Sequence, residues 1–124
     1  MFFGAHTKRA FVSGEVDMVS GAGYNPDRYP GGKYPPGLDH RRIITNLCVL
    51  DFEGPDHAIS VRSLHPGVSF DEVQDNTGFD LVRPDNIPET TAPTAEQLAI
   101  ISELDPHNLR ATIFKDNPPG RRDT

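Results

Sequence analysis

The stretch SLHPGVSFDEVQDNTGFDL, Ser63 to Leu81, is the most densely punctuated passage of the chain. Ser69 with Glu72 three residues later has the form of a capping box, in which the serine oxygen takes the N–H of Glu72 and the glutamate reaches back. Val68 and Val73 stand at the positions of a hydrophobic staple. Phe70, Val73 and Thr77 fall on one side of a helix of about two turns, and Gly78 stands where a left-handed residue ends a helix. The reading is a strand that finishes near Leu64, a turn at Pro66-Gly67, and a short helix that stops at Gly78. Each device contributes only about 0.5–1.5 kcal/mol. Together they set a local geometry, and none of them is a reagent.

Upstream, RRIITNLCVLDF gives the strongest strand signal: Ile43, Thr45, Leu47 and Val49 point one way, and Ile44, Asn46, Cys48, Leu50 and Phe52 the other. Both faces are largely apolar, the pattern of an inner strand that needs cover on both sides. EGPD at Glu53 to Asp56 is turn chemistry, and HAISVRSL after it pairs back as a hairpin partner. An earlier strand is expected in KRAFVSGEVDMV, bent near Ser13-Gly14. Between these, Ser20 to His40 is rich in Gly and Pro and has no periodicity. Loops of that length in compact domains are functional or disordered. Downstream, Thr94 with Gln97 forms a second capping box. Leu98, Ile101 and Leu104 give that helix one apolar face, and Pro106 ends it.

With 124 residues there is room for about one domain. Three strands and two short helices leave the apolar strand short of partners, so the scaffold is expected to be completed by another chain. A net charge of −6 and scattered basic pairs argue against nucleic-acid or membrane partners, which need clustered Lys and Arg. No apolar run approaches a membrane span or a signal-peptide core. Cys48 is the single cysteine. It lies in an apolar run and reads as a small buried hydrophobe in a reducing compartment, so a cytoplasmic location is expected.

Chemical candidates are few. The histidines (His6, His40, His57, His65, His107) show no metal-ligand spacing, so no metal site is expected. His65 precedes Pro66 at a strand-to-helix turn but has no nucleophile and carboxylate around it, and reads as structural or solvated. Glu15 and Asp17 flank Val16 on one strand face and read as solvated carboxylates. GAGY at Gly21 to Tyr24 holds a lone G-x-G without the third glycine of a dinucleotide fingerprint. It is either a plain turn or one that presents backbone N–H groups to a phosphate or carbonyl oxygen. Gly21, Gly23 and Tyr24 are the candidate substrate-binding residues.

In order and spacing, KRAFVSGEVDMVSGAGY, RRIITNLCVLDF, SLHPGVSFDEVQDNTGF and, after a Pro-rich link, PTAEQLAIISELDP resemble the C-terminal half of the β subunit of class I CoA-transferases. The resemblance is strongest to the glutaconate CoA-transferase-like branch, which includes CoA-ester hydrolases that open steroid rings. It covers about residues 6 to 106. The implied fold is α/β, a partial open Rossmann-like sheet of the CoA-transferase type with a central hairpin and two short helices. Residues 1–82 would be the C-terminal half of the β-type domain, 83–106 a linker and helix, and 107–124 a polar, disordered tail. The implied activity is transfer of CoA between an acyl-CoA and a carboxylic acid, with hydrolysis of acyl-CoA and a non-catalytic assembly role as alternatives. The implied partners are an α subunit and the missing N-terminal half, with coenzyme A as substrate rather than cofactor. Family members attack the acyl-CoA carbonyl with a glutamate set in a Ser-Glu-Asn-Gly-like motif. This chain lacks that motif, so no catalytic residue is carried onto it, and the segment alone is expected to be inactive.

Overall fold

The computed structural model describes residue 1 and residues 4–113, and divides into two units, Met1–Thr90 and Thr91–Thr124. The first unit is built on a three-stranded antiparallel sheet. Strand β2, Cys48–Asp51, lies between β1, Ile43–Ile44, and β3, Ser60–Leu64. Ile43 faces Leu50 across the first pair, and Leu50 faces Val61 across the second, where the register slips between Val49 and Leu50. The far edge of β3 is occupied by the returning chain, with Val82 opposite Ser60 and Glu89 opposite Leu64. The core gathers on this sheet: Leu50, Val61, Cys48 and Val73 are fully buried, and Phe11 and Ile43 close around them. Burying each such side chain contributes about 1.5–3 kcal/mol.

The helix read from Ser69 is present as α1, Phe70–Asp75. The Ser69 oxygen accepts the N–H of Glu72 at 3.1 Å, which is the serine half of the expected box. Val68 packs on the cluster that contains Val73, as a staple should. Ser69→Ala is expected to lower stability by about 1 kcal/mol, read as a shift of the denaturant midpoint. An unchanged midpoint would show that the cap contributes nothing.

Three expectations need correction. The helix is capped at Asn76, not Gly78, and Gly78 does not have a positive φ. A Cβ at Gly78 would lie 2.5 Å from the Phe11 carbonyl oxygen and 2.9 Å from the Ser13 nitrogen. The glycine is there because two backbones touch. The long strand expected over Ile43 to Phe52 is two strands. The Thr45 hydroxyl accepts the N–H groups of Leu47 and Cys48, at 3.1 and 3.2 Å, and turns the chain between them. The strand expected in residues 8–19 is a series of turns and bends. The N–H groups of Ala10 and Phe11 both bond to the Thr7 carbonyl, and Gly14 turns at φ 73°, so the segment has no extended run to pair. Val16 and Met18 stand exposed on it, and Glu15 is paired only with Arg28 at 3.0 Å.

The second unit carries α2, Ala95–Leu104, whose capping box is complete: Gln97 N–H to Thr94 Oγ1 at 3.2 Å, and Thr94 N–H to the Gln97 side chain at 2.9 Å. None of its residues is buried, and its apolar face of Leu98, Ile101 and Leu104 is exposed. Residues 107–113 are not the disordered tail expected. Asp105 accepts the N–H groups of Leu109 and Arg110 and pairs with the Arg110 guanidinium at 2.8 Å, organising a 3-10 turn at Leu109–Ile113. The Arg110 backbone N–H and these other donors hold its carboxyl below the ordinary carboxylate range. The rest of that expectation, residues 114–124, lies outside the described residues. No helix among the described residues is long and apolar enough to cross a membrane.

Candidate functional site

The Gly- and Pro-rich loop between residues 20 and 40 folds back over the β2–β3 connection through its tyrosines. The Tyr29 hydroxyl donates to the Gly23 carbonyl at 2.7 Å and the Tyr34 hydroxyl to the Tyr24 carbonyl at 3.0 Å. The Tyr24 hydroxyl accepts the His40 N–H at 2.9 Å. Two 3-10 turns, Pro26–Arg28 and Pro30–Gly32, supply the bends, each with proline presetting φ near its start. Side-chain hydroxyls thus satisfy backbone carbonyls that a sheet would otherwise pair.

Tyr24 is the centre of an aromatic cluster. Its ring stacks on the His57 imidazole, with centroids 4.1 Å apart and planes 10° apart, and meets Tyr34, His40 and Phe52 edge-on at 5.6, 5.4 and 5.4 Å. His57 reaches it from a strained loop: Asp56 and His57 are consecutive non-glycine residues at φ 53° and 61°. Such backbone costs about 1–3 kcal/mol per residue and persists where neighbours over-determine it. Gly54 makes the loop possible. Its N–H bonds to the Ala58 carbonyl at 3.1 Å, and a Cβ there would lie 2.6 Å from that same oxygen.

The rings border an open cavity of about 950 Å³ whose mouth carries Arg41, Arg42, Asp39, Glu53 and Asp56. Arg41 pairs with Asp39 at 2.6 Å and Arg42 with Glu53 at 3.7 Å. Of the residues expected to bind substrate, Tyr24 lines this cavity, whereas Gly21 and Gly23 lie outside its wall. Gly23 serves the site indirectly, by turning at φ 56° and offering its carbonyl to Tyr29. His40, Phe52 and His57 were not marked by sequence reasoning, and no local motif singles them out.

The remaining nucleophilic and basic groups are committed to structure. Cys48 is fully buried, and desolvation pushes its thiol up to about 11, only partly opposed by the Thr45 hydroxyl. It is a neutral core side chain at pH 7. His65 is structural, as expected: one ring nitrogen lies 2.9 Å from the Thr90 hydroxyl, the other 2.9 Å from the Thr45 carbonyl. All six glutamates, Glu15, Glu53, Glu72, Glu89, Glu96 and Glu103, are exposed.

The hairpin, the strand-to-helix turn and the cavity define a portion of the CoA-transferase fold. Over 88% of its length the chain superposes, with a TM-score of 0.76 and 43% identity, on 44% of a chain in the crystal structure of Rhodococcus jostii RHA1 IpdAB. It also matches 40% of a chain of glutaconate coenzyme A-transferase from Acidaminococcus fermentans, at a TM-score of 0.66 and 26% identity over 82% of its own length. In sequence it is 44% identical over 108 residues to the cholesterol ring-cleaving hydrolase IpdB subunit of Rhodococcus jostii. That match takes in 86% of this chain and 42% of the relative, so the chain spans about two-fifths of the length of the curated protein it resembles. No protein-family model matches it.

Proposed function

We propose that this chain is a segment of a β-type subunit that acts on CoA thioesters together with an α subunit and the remainder of its own subunit. Within that class the hydrolytic reading is favoured over CoA transfer. One observation carries the preference: identity to the ring-cleaving hydrolase subunit is 44%, against 26% to the glutaconate transferase. A second fact agrees with a shared site. A glutamate nucleophile needs a water-poor cleft with oxyanion donors at hand, and all six glutamates here are exposed. The reacting groups are therefore contributed by the rest of the assembly, and this segment supplies framework and a wall for the substrate, with Tyr24 the residue of the G-A-G-Y turn placed to touch it.

The assembled enzyme separates the two chemistries. In heavy-oxygen water, hydrolysis of a ring-bearing CoA thioester yields a product heavier by one water and carrying the label. Transfer yields CoA on an added acceptor acid with no label gained. Label in the ring-opened product is the expected result; CoA moved to the acceptor without label would overturn the hydrolytic reading. The purified 124-residue chain is expected to show neither reaction, and turnover by it alone would show that the nucleophile lies within these residues.

A further inference from the structure

We infer that the cavity at Tyr24 and His57 is a nucleobase seat, which under the proposed function receives the adenine of the CoA substrate. The inference rests on that function for the identity of the ligand, and on the cavity's own chemistry for its class. The Tyr24–His57 pair is a two-ring stack, and His57 is exposed, so its imidazole can extend the stack with one more planar ring. The mouth carries three carboxylates, Asp39, Glu53 and Asp56, which repel a bare polyphosphate, and two guanidinium groups, Arg41 and Arg42, which repel a simple cation. A flat heteroaromatic base suits both: its exocyclic amine donates to a carboxylate while its ring nitrogens accept from an arginine. The rim ion pairs are solvent-exposed, so exchanging them for contacts to a base forfeits little.

The backbone adds an independent observation. His57 is held at φ 61°, where glycine would sit without strain. A residue that served only the turn would gain by being glycine. The imidazole is kept there against the local preference of the chain, which is the behaviour of a side chain retained for what its ring does.

This makes a clean test possible with the full chain. His57→Gly removes the ring and relieves the backbone, so the thermal midpoint is expected to stay or rise. Affinity for adenosine and for CoA, measured by calorimetry, is expected to fall about tenfold. Tyr24→Leu is expected to weaken both by a similar factor, and pantetheine, which lacks the base, is expected not to compete with adenosine. Adenosine that fails to bind saturably, or binds both variants as well as the parent, overturns the inference. CoA that binds both variants unchanged overturns it too while leaving the proposed function standing. Adenosine binding lost in both variants, in an assembled enzyme that turns over no CoA thioester, supports the seat and sinks the proposed function instead.

Discussion

Gly78→Ala is expected to destabilise the chain by about 3 kcal/mol, a large fraction of the 5–15 kcal/mol that holds a typical domain together. The added methyl would lie 2.5 Å from the Phe11 carbonyl oxygen, 2.9 Å from the Ser13 nitrogen and 3.2 Å from the Val12 carbonyl carbon. All three are backbone atoms, so no side chain can swing aside. The Phe11 oxygen also accepts the Gly78 N–H at 2.7 Å, and relieving the overlap breaks that bond. Overpacking costs roughly 1–3 kcal/mol, and a lost partner for a buried polar group about 1–3 more. Gly78→Asn separates this account from a left-handed cap. Asparagine tolerates positive φ, so it would be mild at a cap, but it carries the same Cβ and is expected to be at least as damaging as alanine. Denaturant midpoints of the two variants decide the matter, and an asparagine variant close to the parent would show the contact to be compliant.

Gly78 also shows where the sequence is legible and where it is not. The glycine after Phe70, Val73 and Thr77 marks the end of α1 correctly, yet the reason for it lies in residues 11–13, far away along the chain. Local punctuation reveals that a special residue is needed; it cannot reveal which distant backbone makes the demand. Ser69 and Thr94 were readable because a cap is completed within three residues, and both donate their geometry as expected. Thr45 was misread for the opposite reason. A β-branched residue in an apolar run raises the strand signal, while its hydroxyl, competing for the N–H groups of Leu47 and Cys48, cuts the strand in two. Periodicity counts faces and is blind to that hydrogen bond.

The candidate site divides in the same way. The G-A-G-Y turn was visible as an irregular, glycine-flanked stretch, and it delivered Tyr24. The ring that Tyr24 stacks on comes from the turn after β2, where EGPDH reads as a simple connection. Turn residues announce themselves, but the positive φ of Asp56 and His57 is imposed by the closure of Gly54 on Ala58 rather than by their own preferences.

His6→Ala is the other change with a large expected effect, again about 3 kcal/mol, and it carries a pH signature. The imidazole is buried, 3% exposed, and joins three segments: the Thr45 hydroxyl at 3.0 Å from Nδ1, the Thr77 hydroxyl at 2.8 Å from Nε2, and the Phe11 ring stacked at 4.1 Å. The Thr77 hydroxyl gives its own proton to the Val73 carbonyl at 2.7 Å, so it accepts from Nε2–H, and Nδ1 is left bare. Thr45 Oγ1 already accepts the N–H groups of Leu47 and Cys48 and has no lone pair for a second imidazole proton. The other group against the ring is the Cys48 thiol, at 3.8 Å from Nδ1. Nothing there welcomes a positive charge, and burial holds the imidazole below its ordinary value. The folded chain therefore binds fewer protons at His6 than the unfolded chain. The stability this provides is complete above about pH 6.5, where the unfolded imidazole is neutral, and is lost as pH falls from there through the folded value. Removing the ring strands two buried hydroxyls, at about 1–3 kcal/mol each, and forfeits a stacked pair. Denaturant titrations of parent and variant from pH 8 to pH 5 measure both parts. The gap between them should be widest at the alkaline end and narrow as the solution becomes acid, and a gap that stayed constant across that range would mean that His6 does not hold this knot in its neutral form.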